Sequence, residues 1–264
     1  MQSGTAATQS DLWGARPRDW AEVQEIQVRP LYDAVFDATE VDQYTRMLDV
    51  GCGAGLAAQL ANERGARIAG FDATEPLLEV ARERVPDGDF RSGDMEQLPF
   101  DDDAFSLVTG FNSFQFAGDP ARALREAARV AEPGVPIAVG TWGRADQCEA
   151  AIVLKASAEL GPAPPPGRAP GPFALSEPGA LEGFVEQAGL TAQEPVEVET
   201  IWRYPDLDTA LRGLTSAGPG TAAIRLSGEE RVREALANAL EPFGDDSGGY
   251  RLSNVFRYLI ARSA

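Results

Sequence analysis

Three glycines at alternate positions, Gly51, Gly53 and Gly55, follow a short apolar run that contains an acid, Asp49. Glycine lets the backbone turn sharply and approach a ligand closely, so this stretch predicts a ligand-binding loop between a strand and a helix. A second acid, Asp72, ends the next apolar run. It follows the first glycine at a spacing that suits a carboxylate accepting hydrogen bonds from ribose hydroxyl groups.

The details of this glycine loop argue against phosphate ligands. The dinucleotide fingerprint needs a small residue three positions after Gly53, where this chain has Leu56, and the Gly-Lys-Ser/Thr sequence of a P-loop is missing. A fixed carboxylate at Asp49 would repel a pyrophosphate but would favour a ligand that carries an ammonium group. An NAD-type oxidoreductase is therefore disfavoured.

Apolar runs alternate with helical patterns between residues 46 and 142. This pattern predicts strands at 46–50, 66–72, 89–93, 105–111 and 136–141, and helices at 55–64, 75–84 and 119–130. Such alternation is typical of βαβ units, and so of a mostly parallel sheet with helices on both faces. Ligands bind these sheets at the carboxyl ends of the strands, where the glycine loop lies.

Two later strands are predicted to complete the same sheet, which makes it seven-stranded and the chain a single α/β domain. Ser176 is predicted to cap a helix that ends at residue 188, and Ser227 with Glu230 to form a capping box for another helix. The proline-rich loop 161–172 could be a lid or an inert connector, and its place between the core and the next helix favours a lid. We divide the chain into a helical N-terminal cap (1–45), a ligand-binding core (46–142), lid or helical insertions (143–190 and 205–248) and final strands (193–204 and 250–262).

The composition excludes several classes of function. The chain has 41 Asp and Glu against 23 Lys and Arg, a formal net charge of −18, which argues against nucleic acids and anionic membranes as partners. It has no histidine, which excludes Ser-His-Asp and Cys-His catalysis and His-ligated metals. Cys52 and Cys148 are too few for a disulfide framework or a zinc site. We expect a cytoplasmic protein, monomeric or homodimeric, that needs no metal.

Four successive stretches resemble the motifs of one family: LDVGCGAG (48–55), GFDATEPLLEVAR (70–82), GDMEQLPFDDDAFSLV (93–108) and DPARALREAARVAEPG (119–134). They are similar to class I S-adenosylmethionine-dependent methyltransferases, in particular to the small-molecule, ubiquinone-biosynthesis-like branch. The resemblance covers residues 40–142 and continues more loosely through 172–190. It implies a doubly wound, Rossmann-like methyltransferase sheet and S-adenosyl-L-methionine as the cofactor.

The resemblance also implies roles for the residues at matching positions. The glycine loop would surround the methionine part of the cofactor, Asp72 would hold the ribose hydroxyls, and Asp94 would accept a hydrogen bond from the adenine amino group. The predicted cofactor-binding residues are Asp49, Gly51, Cys52, Gly53, Gly55, Asp72, Ala73, Asp94, Met95 and Phe111.

The acceptor side of the site is less well defined, because the family often has histidines where this chain has Gln115 and Phe116. Asn112 and Gln115 are predicted to orient the acceptor, since amides donate and accept hydrogen bonds but are not bases. Aromatic side chains near the strand ends would form its walls, although they could equally pack the N-terminal segment onto the core. These are Trp13, Trp20, Tyr32, Trp142 and Phe173.

The expected activity is methyl transfer from S-adenosylmethionine to oxygen, nitrogen or carbon of a small aromatic or apolar metabolite, mainly by proximity and orientation. Two alternatives stay open. One is a protein of this fold that keeps the cofactor as a non-reacting component of a cyclisation or rearrangement. The other is a binding protein that senses the cofactor.

Overall fold

The computed structural model describes residues 5–163 and 171–263. The strands are β1 (Arg46–Val50), β2 (Arg67–Asp72), β3 (Asp89–Ser92), β4 (Leu107–Phe111), β5 (Ile137–Trp142), β6 (Thr191–Ala192), β7 (Val196–Tyr204) and β8 (Tyr250–Arg262). The helices are α1 (Ala6–Trp13), α2 (Pro17–Asp19), α3 (Arg29–Ala38), α4 (Leu56–Glu63), α5 (Glu75–Arg84), α6 (Pro120–Val130), α7 (Ala150–Ala158), α8 (Ala180–Glu186), α9 (Leu207–Ser216), α10 (Gly218–Ser227) and α11 (Glu229–Leu240).

The strands form one sheet in the order β3-β2-β1-β4-β5-β8-β6, with β7 also paired to β8. The first five strands are parallel, and β8 runs antiparallel to β5. The predicted doubly wound, mostly parallel Rossmann-like sheet is therefore confirmed. It has one strand more than the seven predicted, because the two-residue β6 pairs with the end of β8. The predicted division of the chain into functional regions stays a prediction.

Helices cover both faces of the sheet, so its strands are apolar on both sides. Met47 of β1 packs into the core on the face of α3 and α4, whereas Leu48 and Val50 pack into the core that contains residues of α6 and α8. Every residue of β4 and β5 is buried. This burial explains why the sequence shows these strands as continuous apolar runs.

The N-terminal segment, residues 5–38, is helical as predicted, but the type of helix differs along its length. After α2 comes a π-helical turn at Trp20–Gln24, then a 3-10 turn at Glu25–Val28, and then α3. A π-helical turn adds a residue to the helical repeat and is frequent at functional sites. Here it buries two adjacent polar residues, Gln24 and Glu25, which are 4% and 3% exposed.

The strand and helix bounds of the core fall within about two residues of the predicted ones, but two predicted helix caps are wrong. Ser176 donates its hydroxyl to the carbonyl of Phe173, and α8 begins only after the left-handed Gly179. Ser227 is the last residue of α10 and donates to the carbonyl of Leu160, so Gly228 precedes α11 instead. In both cases the hydroxyl bonds to a carbonyl and leaves no cap for the next helix.

Most of the proline-rich loop that was predicted to be a lid lies outside the described residues, in 164–170. No helix within residues 5–163 and 171–263 is both long enough and apolar enough to span a membrane.

The third glycine of the loop sets the distance between two helices. Gly55 precedes α4 with a φ of 81°, and a Cβ there would lie 2.7 Å from Cβ of Ala81 on α5. We predict that Gly55→Ala lowers the free energy of unfolding by about 2–4 kcal/mol, since it combines backbone strain with overpacking. Urea unfolding measures this change. The control is Gly183→Ala inside α8, where a Cβ meets no atom within 4 Å; it should be neutral or stabilising by about 0.5–1 kcal/mol. Equal effects of the two substitutions would contradict this packing role.

Candidate functional site

One cavity lies along the carboxyl edge of the parallel strands. Its floor follows the strand order: residues 93–95 after β3, 72–74 at the end of β2, Gly51 and Gly53 after β1, and 111–113 at the end of β4. Parallel strands end at the same edge, so four segments that are distant in sequence meet there. The cavity therefore suits an elongated ligand with chemically distinct parts.

The N-terminal segment forms the roof of this cavity. Thr5, Ala6, Gln9 and Trp13 of the α1 region line it, followed by Trp20, Val28 and Tyr32. Trp13 packs edge-to-face on Trp20 with ring centroids 4.9 Å apart. The hydroxyl of Thr5 donates to the carbonyl of Phe116 and so attaches α1 to the loop after β4.

Asp72 joins two of the segments that form the floor. One of its carboxylate oxygens accepts from Gly53 N at 2.9 Å, and the other accepts from Thr74 N at 2.8 Å. Burial raises the pKa of this carboxyl, and the backbone hydrogen bonds oppose the rise. Each carboxylate oxygen has a further lone pair, so Asp72 can still accept from a ligand hydroxyl.

Asp94 and Met95, the two residues predicted to lie near the adenine, form the floor of the cavity beside β3. Both are partly exposed. Asp94 Oδ1 accepts from Glu96 N at 3.0 Å, which fixes the turn that follows β3. This arrangement leaves Oδ2 of Asp94 as the oxygen available to a ligand donor.

Asp49 lies beneath the floor and does not line the cavity. It is 2% exposed, and its Oδ1 accepts a hydrogen bond of 2.8 Å from the hydroxyl of Thr109 on β4. Burial raises its pKa to about 7; the Thr109 bond lowers it, and the nearby carboxylates of Glu25 and Asp72 raise it. Asp49 can therefore act on a ligand only through its field or by supporting the loop.

The three glycines have different surroundings. Gly51 and Gly53 line the cavity with left-handed φ values of 76° and 53°, whereas Gly55 faces α5. Cys52 also points away from the cavity and packs in the core, with its thiol pKa raised by burial. Cys52 and Gly55 thus shape the loop without contributing to the cavity wall.

The loop after β4 provides unpartnered polar atoms. Asn112 has a φ of 52°, unusual for a residue with a side chain, and its buried Oδ1 has no hydrogen-bond partner among the described residues. Ser113 Oγ is likewise buried and unpartnered, and both residues line the cavity. Strained backbone and unpaired buried atoms are typical of positions held for a ligand.

Three residues predicted for the acceptor side lie elsewhere. Gln115 does not line the cavity, although its Nε2 is buried without a partner. Trp142 and Phe173 pack against each other with centroids 5.3 Å apart, and Trp142 also packs on Trp202 and Phe256. In this conformation these aromatics form part of the core, which is the alternative that the sequence left open.

Glu25 was not predicted from the sequence as a site residue, yet its carboxylate lies behind Gly53, 3.6 Å from the position that a Cβ there would occupy. A signal was present, because residues 21, 24, 25, 28 and 32 share one face of a helical stretch, and two of them, Gln24 and Glu25, are polar. Polar residues on an apolar stripe are costly to bury and usually have a specific partner.

The cavity fits S-adenosylmethionine in the order of its groups. Carboxylates at β3 and β2 could accept from the adenine amino group and the ribose, glycines at β1 leave room for the amino-acid part, and Asn112 Oδ1 has no partner among the described residues at β4. The carboxylates around the loop suit a cation and disfavour a pyrophosphate. No group of three or more potential ligand side chains in residues 5–163 and 171–263 could hold a metal ion.

Residues 48–139 match the family model described as a methyltransferase domain. Over 143 residues the chain is 34% identical to methyltransferase GfsG of Streptomyces halstedii, covering 50% of each protein. It is 38% identical to demethylmenaquinone methyltransferase of Chlorobaculum tepidum over 97 residues, which cover 36% of this chain and 40% of that protein. The chain thus matches about half or less of the length of these curated relatives.

Solved structures extend the similarity beyond this matched region. The fold resembles that of the 4+2 cyclase SpnF with a TM-score of 0.59 and 19% identity, over 98% of this chain and 93% of that one. Identity this low establishes the fold alone.

The raised pKa of Asp49 predicts a pH-dependent stability. Its ordinary pKa is 3.8, and the folded protein raises it to about 7. The folded state therefore binds the proton more tightly, and this group makes folding less favourable as pH rises from about 4 to 7. We predict that Asp49→Asn stabilises the ligand-free protein by about 2–4 kcal/mol at pH 8 and by less at pH 5. Urea unfolding at both pH values measures the difference; the exposed Asp87→Asn is the control. An equal effect of Asp49→Asn at both pH values would refute the assignment.

Proposed function

We propose that the class I S-adenosylmethionine-dependent methyltransferase domain of this chain transfers the methyl group of its cofactor to a small, aromatic or apolar molecule. The supporting observation is the cavity at the carboxyl edge, in which Asp94, Asp72, Gly53 and Asn112 follow one another in the order that the cofactor's adenine, ribose, amino-acid and methyl groups require. The family match of residues 48–139 supports the same cofactor.

The residues that line the cavity would hold the cofactor by hydrogen bonds and close backbone approach. Asp94 would accept from the adenine amino group and Asp72 from the ribose hydroxyls, while Gly51 and Gly53 admit the amino-acid part. When bound, the cofactor supplies an activated methyl group on a sulfonium, which an oxygen, nitrogen or carbon nucleophile can displace. The protein then has to position that nucleophile in line and exclude water.

The acceptor is proposed to enter at the β4 end of the cavity. Asn112 lies there with its unpartnered Oδ1, beside Phe111 and Tyr32, whose ring centroids are 4.7 Å apart. Burial holds the pKa of Tyr32 well above its ordinary value, so its phenol is neutral and can only donate or accept a hydrogen bond. This end of the cavity has no histidine and relies on orientation.

The chemistry of the walls favours a flat or apolar acceptor. Trp13, Trp20, Tyr32, Phe111 and Phe116 all line the cavity. Aromatic rings offer large apolar contact areas and stack on flat ligands. A similar curated protein is named for a demethylmenaquinone, a large apolar ring compound, which agrees with this class of acceptor.

Cofactor binding provides the first test of this proposal. Purified protein should bind S-adenosylmethionine and S-adenosylhomocysteine with micromolar affinity in isothermal titration calorimetry. Asp72→Ala should lower the affinity for both ligands by about 30-fold or more, because it removes a charged acceptor that also holds Gly53 N–H. Asp89→Ala, an exposed carboxylate on β3 paired with Arg91, should change neither. No binding of either ligand to the wild-type protein would refute the function.

Transfer itself is tested with cofactor labelled on the methyl group and a panel of quinols, phenols and amines. We expect label in one acceptor class, and a loss of turnover of about 10–100-fold in Asn112→Gly, which keeps the left-handed backbone but removes the amide. Cofactor affinity of this variant should change less than twofold. An altered substrate beside intact labelled cofactor would instead support the cyclisation or rearrangement alternative.

A further inference from the structure

Glu25 belongs to the N-terminal segment but reaches the glycine loop. Its Oε1 lies 3.4 Å from Leu56 N at the start of α4 and 3.6 Å from the position that a Cβ at Gly53 would occupy. Trp20 Nε1 lies at the same 3.6 Å from that position. Gly53 is part of the cavity wall, so the carboxylate stands directly behind the wall.

Glu25 has structural partners, but packing alone does not require a charge at this place. Oε2 of Glu25 pairs with Arg84, whose guanidinium also donates to the carbonyls of Ala54 and Ala21. Apolar side chains usually stabilise a buried contact as well as an ion pair does. The π-helical turn before Glu25 is an additional departure from regular helix that brings this side chain inward.

Around the loop, the carboxyl groups of the described residues outnumber the cations that pair with them. Three buried or partly buried carboxyl groups, Glu25, Asp49 and Asp72, surround Gly51–Gly55, and Arg84 is the cation paired with one of them. Glu25 is 3% exposed, and this burial raises the pKa of its carboxyl, whereas the Arg84 guanidinium lowers it. A ligand cation on the other side of Gly53 would complete the balance.

We propose that Glu25 positions and selects the amino-acid end of the cofactor, by holding a buried negative charge behind Gly53 where the α-ammonium group binds. This inference rests on the proposed function. Glu25 acts through the loop and through its field, and is a positioning residue. Because its carboxylate occupies the start of α4, it also keeps the cofactor's own carboxylate away from those backbone N–H groups, so the ammonium and the carboxylate cannot exchange places.

The test compares ligands with and without the ammonium group on the same variant. Glu25→Gln keeps the shape of the side chain and removes its charge. Affinities are measured by calorimetry for S-adenosylhomocysteine, for its analogue with hydrogen in place of the α-amino group, and for 5′-methylthioadenosine, which lacks the amino-acid part. Glu83→Gln is the matched control, because Glu83 is an exposed carboxylate on α5 that pairs with Arg18.

We expect Glu25→Gln to lower the affinity for S-adenosylhomocysteine by about tenfold or more, and to change the affinities for the other two ligands by less than twofold. Glu83→Gln should change none of them. The ratio of the affinities for two ligands does not depend on a general loss of stability. Such a loss is measured separately, as the unfolding temperature of the ligand-free variant.

If the affinities for all three ligands fall equally, Glu25 has only a structural role. If the affinity for S-adenosylhomocysteine is unchanged, the charge of Glu25 does not contribute to binding. Either result overturns the inference. Both are distinct from failure of the proposed function itself, in which the wild-type protein would bind no S-adenosylhomocysteine.

Discussion

The site depends on one shared acceptor, the carboxylate of Asp72. Its two oxygens hold Gly53 N–H and Thr74 N–H, and so connect the loop after β1 to the loop after β2. The parallel register places Asp49 opposite Gly70 on one side and Thr109 on the other, which brings these loops to one edge. The Asp72 bridge extends to Gly53 the connection that Gly51 N and Cys52 N already make by donating to the carbonyl of Phe71.

The N-terminal segment covers this edge and forms the roof of the cavity, and contacts with the C-terminal region hold the segment in place. Gln24 accepts from the hydroxyl of Tyr204 on β7, while its neighbour Glu25 pairs with Arg84 beside the glycine loop. On α1, Asp11 pairs with Arg225 of α10. One segment thus contacts both the glycine loop and the C-terminal region.

Patterns with a local physical cause were readable from the sequence. Alternating apolar runs predicted the strands, and Asp119 caps α6 as expected, by accepting from Arg122 N. Gly51, Gly53, Asp72 and Asn112 were predicted for the site, and all four line the cavity, because strand ends in parallel sheets converge. The π-helical turn, the burial of Glu25 and the packing of Trp142 onto Trp202 depend on contacts distant in sequence, which no local pattern encodes. Ser176 and Ser227 matched a capping pattern, but tertiary acceptors took their hydroxyls.

One continuous cavity across four strand ends is proposed to hold the cofactor, and a crystal structure with S-adenosylhomocysteine would reveal the position of each of its groups. We expect the adenine beside Asp94 and Met95, the ribose hydroxyls on Asp72, and the amino-acid part over Gly51 and Gly53 with its ammonium on the Glu25 side. The ligand's sulfur should point toward Phe111 and Asn112. A ligand bound away from the carboxyl edge, or bound in the reverse direction with its adenine toward Asn112, would refute this arrangement.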